Sequence, residues 1–295
     1  MRPGALLLKF RKKYGKGFRV AWYRDRVRPK ILQSKPCTGL TDDSAEIHVL
    51  TSEQDWLNLL WTLKSFYNVS ENPYRLVIHE DGSLGSEEIQ HMKRLFPDAR
   101  IVLKKDSDAK VLPMLDDYPK ALEFRSTNPL SLKLFDFPAY LESKRMFLLD
   151  SDILFYTRPD ALLDRIGDPG YVKNIFNRDV SGALNVDVSK VRERFGFDLL
   201  ERFNSGLGLI HKDSIKLDWI EEFLDLDGIQ SHHWRIEQTL IALCSCRFGA
   251  ELLPQEYDVY LDNGLGDRPS RHYVGAVRHL MYAEGMKRLF AEGLI

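Results

Sequence analysis

Short apolar runs alternate along the chain with longer stretches in which apolar residues recur every three or four positions. Ile47–Leu50 reads as a first buried strand. Thr51 and Ser52 then offer hydroxyl caps for a helix over 53–67, where Trp56, Leu59, Leu60 and Leu63 fall on one face. Arg75–His79 is a second strand, stopped by Glu80-Asp81-Gly82. Ser86 opens a helix that Pro97 ends, and Ile101–Leu103 makes a third strand. This alternation predicts an α/β fold with a mostly parallel sheet and helices on both faces. Ligands of such sheets gather beyond the carboxyl ends of the strands.

Met146–Leu149 is the most informative strand. Four consecutive apolar residues leave it no solvent face, so it belongs in the middle of the sheet. Asp150-Ser151-Asp152 follows at its carboxyl end. On extended chain the two carboxylates point the same way. Beside an apolar core they would repel one another and lose hydration. A divalent cation such as Mn2+ or Mg2+, which takes hard oxygen ligands, removes that conflict. A solvated Asp-Ser-Asp turn would explain the same residues.

Further residues, in order, tie this segment to a known family. Lys133 stands before the strand in a helix expected over 129–138, and Pro159 follows the acidic pair. Asn204-Ser205-Gly206 opens a glycine-bearing strand running to Ile210. Glu237-Gln238 begins a helix, and His272 stands three residues before Gly275. Together they resemble the D-x-D pattern of GT-A glycosyltransferases, most of all family 8 with its glycogenin and galactosyltransferase members. The likeness covers about 130–280 and the first two strands, 45–82. It implies a single GT-A (Rossmann-like) catalytic domain. It also implies Asp150, Asp152 and His272 as metal ligands, and Lys133 reaching the phosphate or sugar of a nucleotide-sugar donor. The family's usual lysine after the H-x-x-G segment is missing, and Arg278 is the substitute cation. Gly275 would let the backbone approach the diphosphate.

Asn204 and Ser205 would position donor or acceptor, and Glu237 and Gln238 would face the reacting sugar. Ser151 would touch the donor beside the metal. Thr51, Ser52, Asp55, Glu80 and Asp81 are candidates for base and ribose because they end strands. Helix capping and turn formation explain Asp55 and Asp81 equally well. The segments 104–130 and 176–190, with Arg178, Asp179, Asn185 and Asp187, are expected on the acceptor side, and Trp234, Tyr257 and Tyr260 are stacking candidates. The reaction so implied transfers a hexose from a UDP-sugar to a glycan, lipid-linked or protein acceptor, with retention of configuration as in polysaccharide biosynthesis. Were the product inverted, Glu237 would be the base.

Charge changes the picture at one end. Residues 1–40 hold twelve Lys or Arg and one acid, leaving 30 basic and 42 acidic residues in 41–295. A basic arm over 1–40 thus precedes a catalytic domain over 41–295. The arm suits an anionic surface or its own acidic body. The resemblance makes a nucleic-acid partner unexpected, and leaves peripheral membrane contact through the arm. The Ala5–Leu8 run, cut off by Lys9, is too short for a signal-peptide core. With only Cys37, Cys244 and Cys246, the chain is expected in the cytoplasm, at most peripheral on the inner membrane face.

Three other readings share parts of the pattern. A haloacid-dehalogenase-type phosphatase also carries D-x-D after a strand, but it places a Thr or Val where Leu154 stands. A nucleotidyltransferase would need a glycine-rich basic loop in place of Thr51–Asp55. A non-catalytic nucleotide-sugar-binding or scaffold domain would have little reason to keep Asp150, Asp152 and His272 together.

Overall fold

The computed structural model describes residue 11 and residues 14–295. Among the described residues nine strands build two sheets: β1 (Asp42–Thr51), β2 (Tyr74–Glu80), β3 (Arg100–Val102), β4 (Arg145–Leu149), β5 (Ile153–Phe155), β6 (Asn174–Arg178), β7 (Phe203–His211), β8 (Ala250–Leu252) and β9 (Ser270–His272). Seven form a central sheet in the order β3-β2-β1-β4-β7-β6-β8, and β5 pairs with β9 in a small second sheet. β3, β2, β1 and β4 are mutually parallel, and β6 is parallel to β8. Only β7 is reversed, antiparallel to both β4 and β6. The sheet is therefore mostly parallel, with helices on both faces, as expected of the GT-A fold.

β4 is buried on both sides because alternate residues enter different cores. Phe147 and Leu149 join a core with Ile47, Val49, Leu59 and Phe66. Met146 and Leu148 join a second core with Phe137, Phe176, Ile210 and Leu240. The period-2 geometry of the strand does the sorting.

The arm is continuous with the first core. Val27 and Ile31 are fully buried in it, with Val20 and Leu40 nearly so. Trp61 Nε1 donates to the Arg28 carbonyl at 2.9 Å, locking the arm to the helix Trp56–Ser70.

Two departures from the expected boundaries bear on the site. The first helix starts at Trp56 rather than 53, because Asp55 and Trp56 both donate backbone N–H to the Ser52 carbonyl, at 3.1 and 3.0 Å. Ser52 thus opens the turn with its carbonyl, not its hydroxyl. Before Lys133, Pro129–Ser131 forms a tight 3-10 turn started by the Asn128 side chain, and the helix proper is Leu132–Tyr140.

Candidate active site

The reversed strand brings the site together. β4 and β7 pair antiparallel with Leu149 opposite Leu207, so the start of β7 lies at the carboxyl end of β4. Asp150 N–H donates to the Gly206 carbonyl at 2.8 Å, carrying the ladder one residue past the strand. The chain then turns through Ser151, whose carbonyl accepts from the Thr62 hydroxyl at 2.9 Å. β5 follows, and its partner β9 sets His272 opposite Ile153. Tyr273 N–H donates to the Asp152 carbonyl at 2.8 Å. Asp150, Asp152 and His272 therefore converge from two sheets, with one ligand atom of each lying within 4.8 Å of the others.

The donor set fits a divalent cation. His272 Nε2 is 3.1 Å from Asp152 Oδ1 and 3.9 Å from Asp150 Oδ2. Its other nitrogen, Nδ1, meets Asn204 Oδ1 at 3.1 Å. The Asn204 amide is oriented by its own donation to Asp179 Oδ2 at 2.9 Å, which leaves its oxygen to accept from Nδ1–H. This arrangement aims Nε2 at the carboxylates, where it can ligate a metal once its proton is lost, the usual support for a metal-binding histidine. Gly206 completes the cradle: a Cβ there would run into the His272 ring and come within 2.9 Å of Asp150 Oδ2.

Two cations hold the outer carboxylate oxygens. Lys133 Nζ lies 2.6 Å from Asp150 Oδ1 and 3.6 Å from Glu237. Arg278 donates to Asp152 Oδ2 at 2.6 Å and to Asp55 at 3.3 Å. Burial alone would push Asp152 up, but His272 and Arg278 outweigh it and hold the carboxyl at about 2. Burial works against the Lys133 ammonium, and Asp150 and Glu237 overcome it, so its pKa is raised. Glu237 differs from the other acids. It is 2% exposed, Ser205 Oγ donates to its Oε2 at 3.3 Å, and its Oε1 accepts no hydrogen bond. Burial lifts it to about 7 against the pull of Lys133.

These groups line one cleft of about 1210 Å3. Thr51, Ser52, Asp55 and Asp81 border it from the ends of β1 and β2, as the position rule predicted. Lys133, Ser151, Ser205, Gln238, Gly275 and Arg278 line it as well. Asn204 stands behind the wall and acts on His272. Glu80 lies outside the cleft, its carboxylate accepting the N–H groups of Gly82 and Lys104, both at 2.6 Å.

The acceptor-side expectations need correction. Segment 104–130 is mostly two helices that bury Val111, Ala121 and Phe124, and only Pro129 and Leu130 reach the cleft. Asn185 and Asp187 are structural: Asn185 donates to the Ile229 and His232 carbonyls, and Asp187 caps the helix Val188–Phe195. Arg178 pairs with Asp258 at 3.4 Å. Asp179 does line the cleft. Of the aromatics, only Trp234 does; Tyr257 is buried, and Tyr260 lies against Arg268 and Arg271. Thr62 and Gly206 are the contributors that sequence reasoning left without a stated role, and Asp179, expected toward the acceptor, also orients Asn204. Gly206 alone carried a signal, as a glycine inside a strand.

No protein-family profile matches the chain, and no curated protein matches it. Solved structures do. The galactosyltransferase LgtC, in complex with donor and acceptor sugar analogues, superposes with a TM-score of 0.51 at 14% identity, over 84% of this chain and 95% of that one. The bifunctional glycosyltransferase WbbM gives 0.51 at 10% identity, over 88% of this chain and 53% of its own length. Mouse xyloside xylosyltransferase 1 gives 0.47 at 10% identity, over 79% and 98%. The fold is the GT-A fold of glycosyltransferases.

Proposed function

We propose that the protein is a metal-dependent glycosyltransferase that moves a hexose from a nucleoside diphosphate sugar, with UDP as the nucleotide, to a hydroxyl of a glycan, lipid-linked or protein acceptor. One observation carries this reading: Asp150, Asp152 and His272 converge in the large cleft of a GT-A fold, with Lys133 and Arg278 beside them. A Mn2+ or Mg2+ ion held by these three residues would neutralise charge on the diphosphate leaving group.

The remaining work falls to the chain's own groups. Lys133 and Arg278 now hold carboxylate oxygens, and both can turn to phosphate oxygens entering the cleft. Thr51, Ser52 and Asp81 suit the nucleoside, being hydrogen-bonding groups at strand ends. Gly275 has open space at its Cβ position, which suits backbone contact with the diphosphate. Gln238 and Glu237 face the sugar, and the carboxyl near neutrality can either accept or donate a hydrogen bond there. The family-8 resemblance supports retention, with the leaving phosphate taking the acceptor's proton. An inverted product would make Glu237 the base.

A panel of nucleotide sugars incubated with Mn2+, scored for donor hydrolysis without acceptor, tests the reading and identifies base and sugar together. Asp152→Ala is expected to abolish the signal. The proposal fails if no donor is cleaved and calorimetry detects no Mn2+-dependent nucleotide binding, which is the behaviour of a scaffold domain.

A further inference from the structure

The basic arm carries a second surface. Its helix Phe18–Trp22 buries Val20 and Ala21 and turns two aromatic rings outward: Phe18 is 68% exposed and Trp22 52%. Four residues apart, they occupy the same helical face. Lys16, Arg19, Arg26, Lys30 and Lys35 of the same arm are exposed. A groove of about 550 Å3 runs between Tyr14, Phe18, Arg19, Trp22 and Arg26. The arm's one carboxylate, Asp25, is held by its neighbour Arg24 at 2.7 Å.

These charges are not spent on the acidic body. Among the described residues, Lys16, Arg19, Arg26, Arg28, Lys30 and Lys35 form no ion pair with a carboxylate of 41–295. The arm's contacts with the body are of other kinds: the buried Val27 and Ile31, the Trp61–Arg28 hydrogen bond, and Lys30 over the Phe290 ring at 4.8 Å. The patch is therefore rigidly mounted while its cations face solvent. In sequence, the preceding Ala5–Leu8 run lies among Arg2, Lys9, Arg11, Lys12 and Lys13.

We infer that this patch docks the protein on an anionic lipid bilayer. Exposed Trp and Phe rings favour the headgroup boundary, and surrounding Lys and Arg are drawn to anionic headgroups. The pairing of exposed apolar rings with Arg19 and Arg26 along one groove favours a bilayer over nucleic acid, which the cations alone would equally suit.

Co-sedimentation of the full chain with lipid vesicles tests the inference. Vesicles of phosphatidylcholine with about one-third phosphatidylglycerol should pellet the protein at least roughly tenfold more strongly than phosphatidylcholine alone. Phe18→Ser/Trp22→Ser and Arg19→Glu/Arg26→Glu should each weaken that binding roughly tenfold or more, with the melting temperature unchanged. The inference is overturned if both double variants sediment like the wild-type chain. It is also overturned if the chain ignores anionic vesicles and binds an oligonucleotide duplex instead. Mn2+ and nucleotide binding, read by calorimetry, should stay the same in all variants, so failure here leaves the donor-site reading standing.

Discussion

At Gly206 a methyl group would enter the space occupied by the His272 ring, whereas at Gly275 it would meet nothing within 4 Å. The two glycines of the cleft thus make different predictions. Gly206→Ala should displace His272 or Asp150 and weaken Mn2+ binding on the order of 10–100-fold, with donor hydrolysis falling alongside. Calorimetric titration with Mn2+ measures this directly, and wild-type affinity would remove Gly206 from the cradle. Gly275→Ala should leave the melting temperature unchanged, since its backbone does not require glycine and its Cβ finds open space. Nucleotide affinity should nevertheless drop roughly tenfold if the diphosphate lies against that backbone. Unchanged affinity would exclude the close approach.

The elements that carry these residues are braced by a buried ion network. Arg125, on the helix Pro119–Thr127, donates to both oxygens of Asp136 at 2.6 and 2.7 Å and reaches Asp108 at 2.8 Å. Ser107 also donates to Asp136, so the helices Lys104–Val111, Pro119–Thr127 and Leu132–Tyr140 share one knot. The last of them bears Lys133. Arg125→Ala leaves the fully buried Asp136 without its counter-charge, which should cost about 3–5 kcal/mol by denaturant unfolding. A loss below about 1 kcal/mol would mean that the network contributes little. The knot also explains why segment 104–130 proved structural rather than acceptor-lining. Its prolines do not break these helices: Pro113 and Pro119 sit in first turns, where a missing N–H costs nothing.

For the whole molecule, Glu237 couples stability to pH. Its folded value of about 7 lies above the ordinary 4.5, so the stability it contributes is complete below about pH 4.5. That contribution disappears as pH rises through about 7. Comparing metal-free wild type with Glu237→Gln should therefore show the wild type losing about 3 kcal/mol relative to the variant between pH 4.5 and 8. Chemical denaturation across that range measures the difference, and parallel pH profiles would place Glu237 in a more polar setting than its burial indicates.

Much of this architecture was legible in the residues alone. The period-2 and apolar runs were enough for β1, β2 and β4, because a strand buried on both faces must be apolar throughout. Asp150 and Asp152 were legible for a related reason: two carboxylates ending such a strand need a counter-charge. The alternation of strands and helices likewise implied the mostly parallel sheet. Tertiary structure decided the rest. His272 lies more than a hundred residues beyond Asp152, and only the β5–β9 pairing sets it at the site. The reversal of β7 is what brings Gly206 against Asp150 and sends Asn204 behind the wall to orient His272. Nothing in the local sequence separates Trp234, which reaches the cleft, from the buried Tyr257. Strand formation follows from short-range patterning, which a sequence displays openly. Which strand ends meet depends on sheet order and direction, and these are settled by packing between distant parts of the chain.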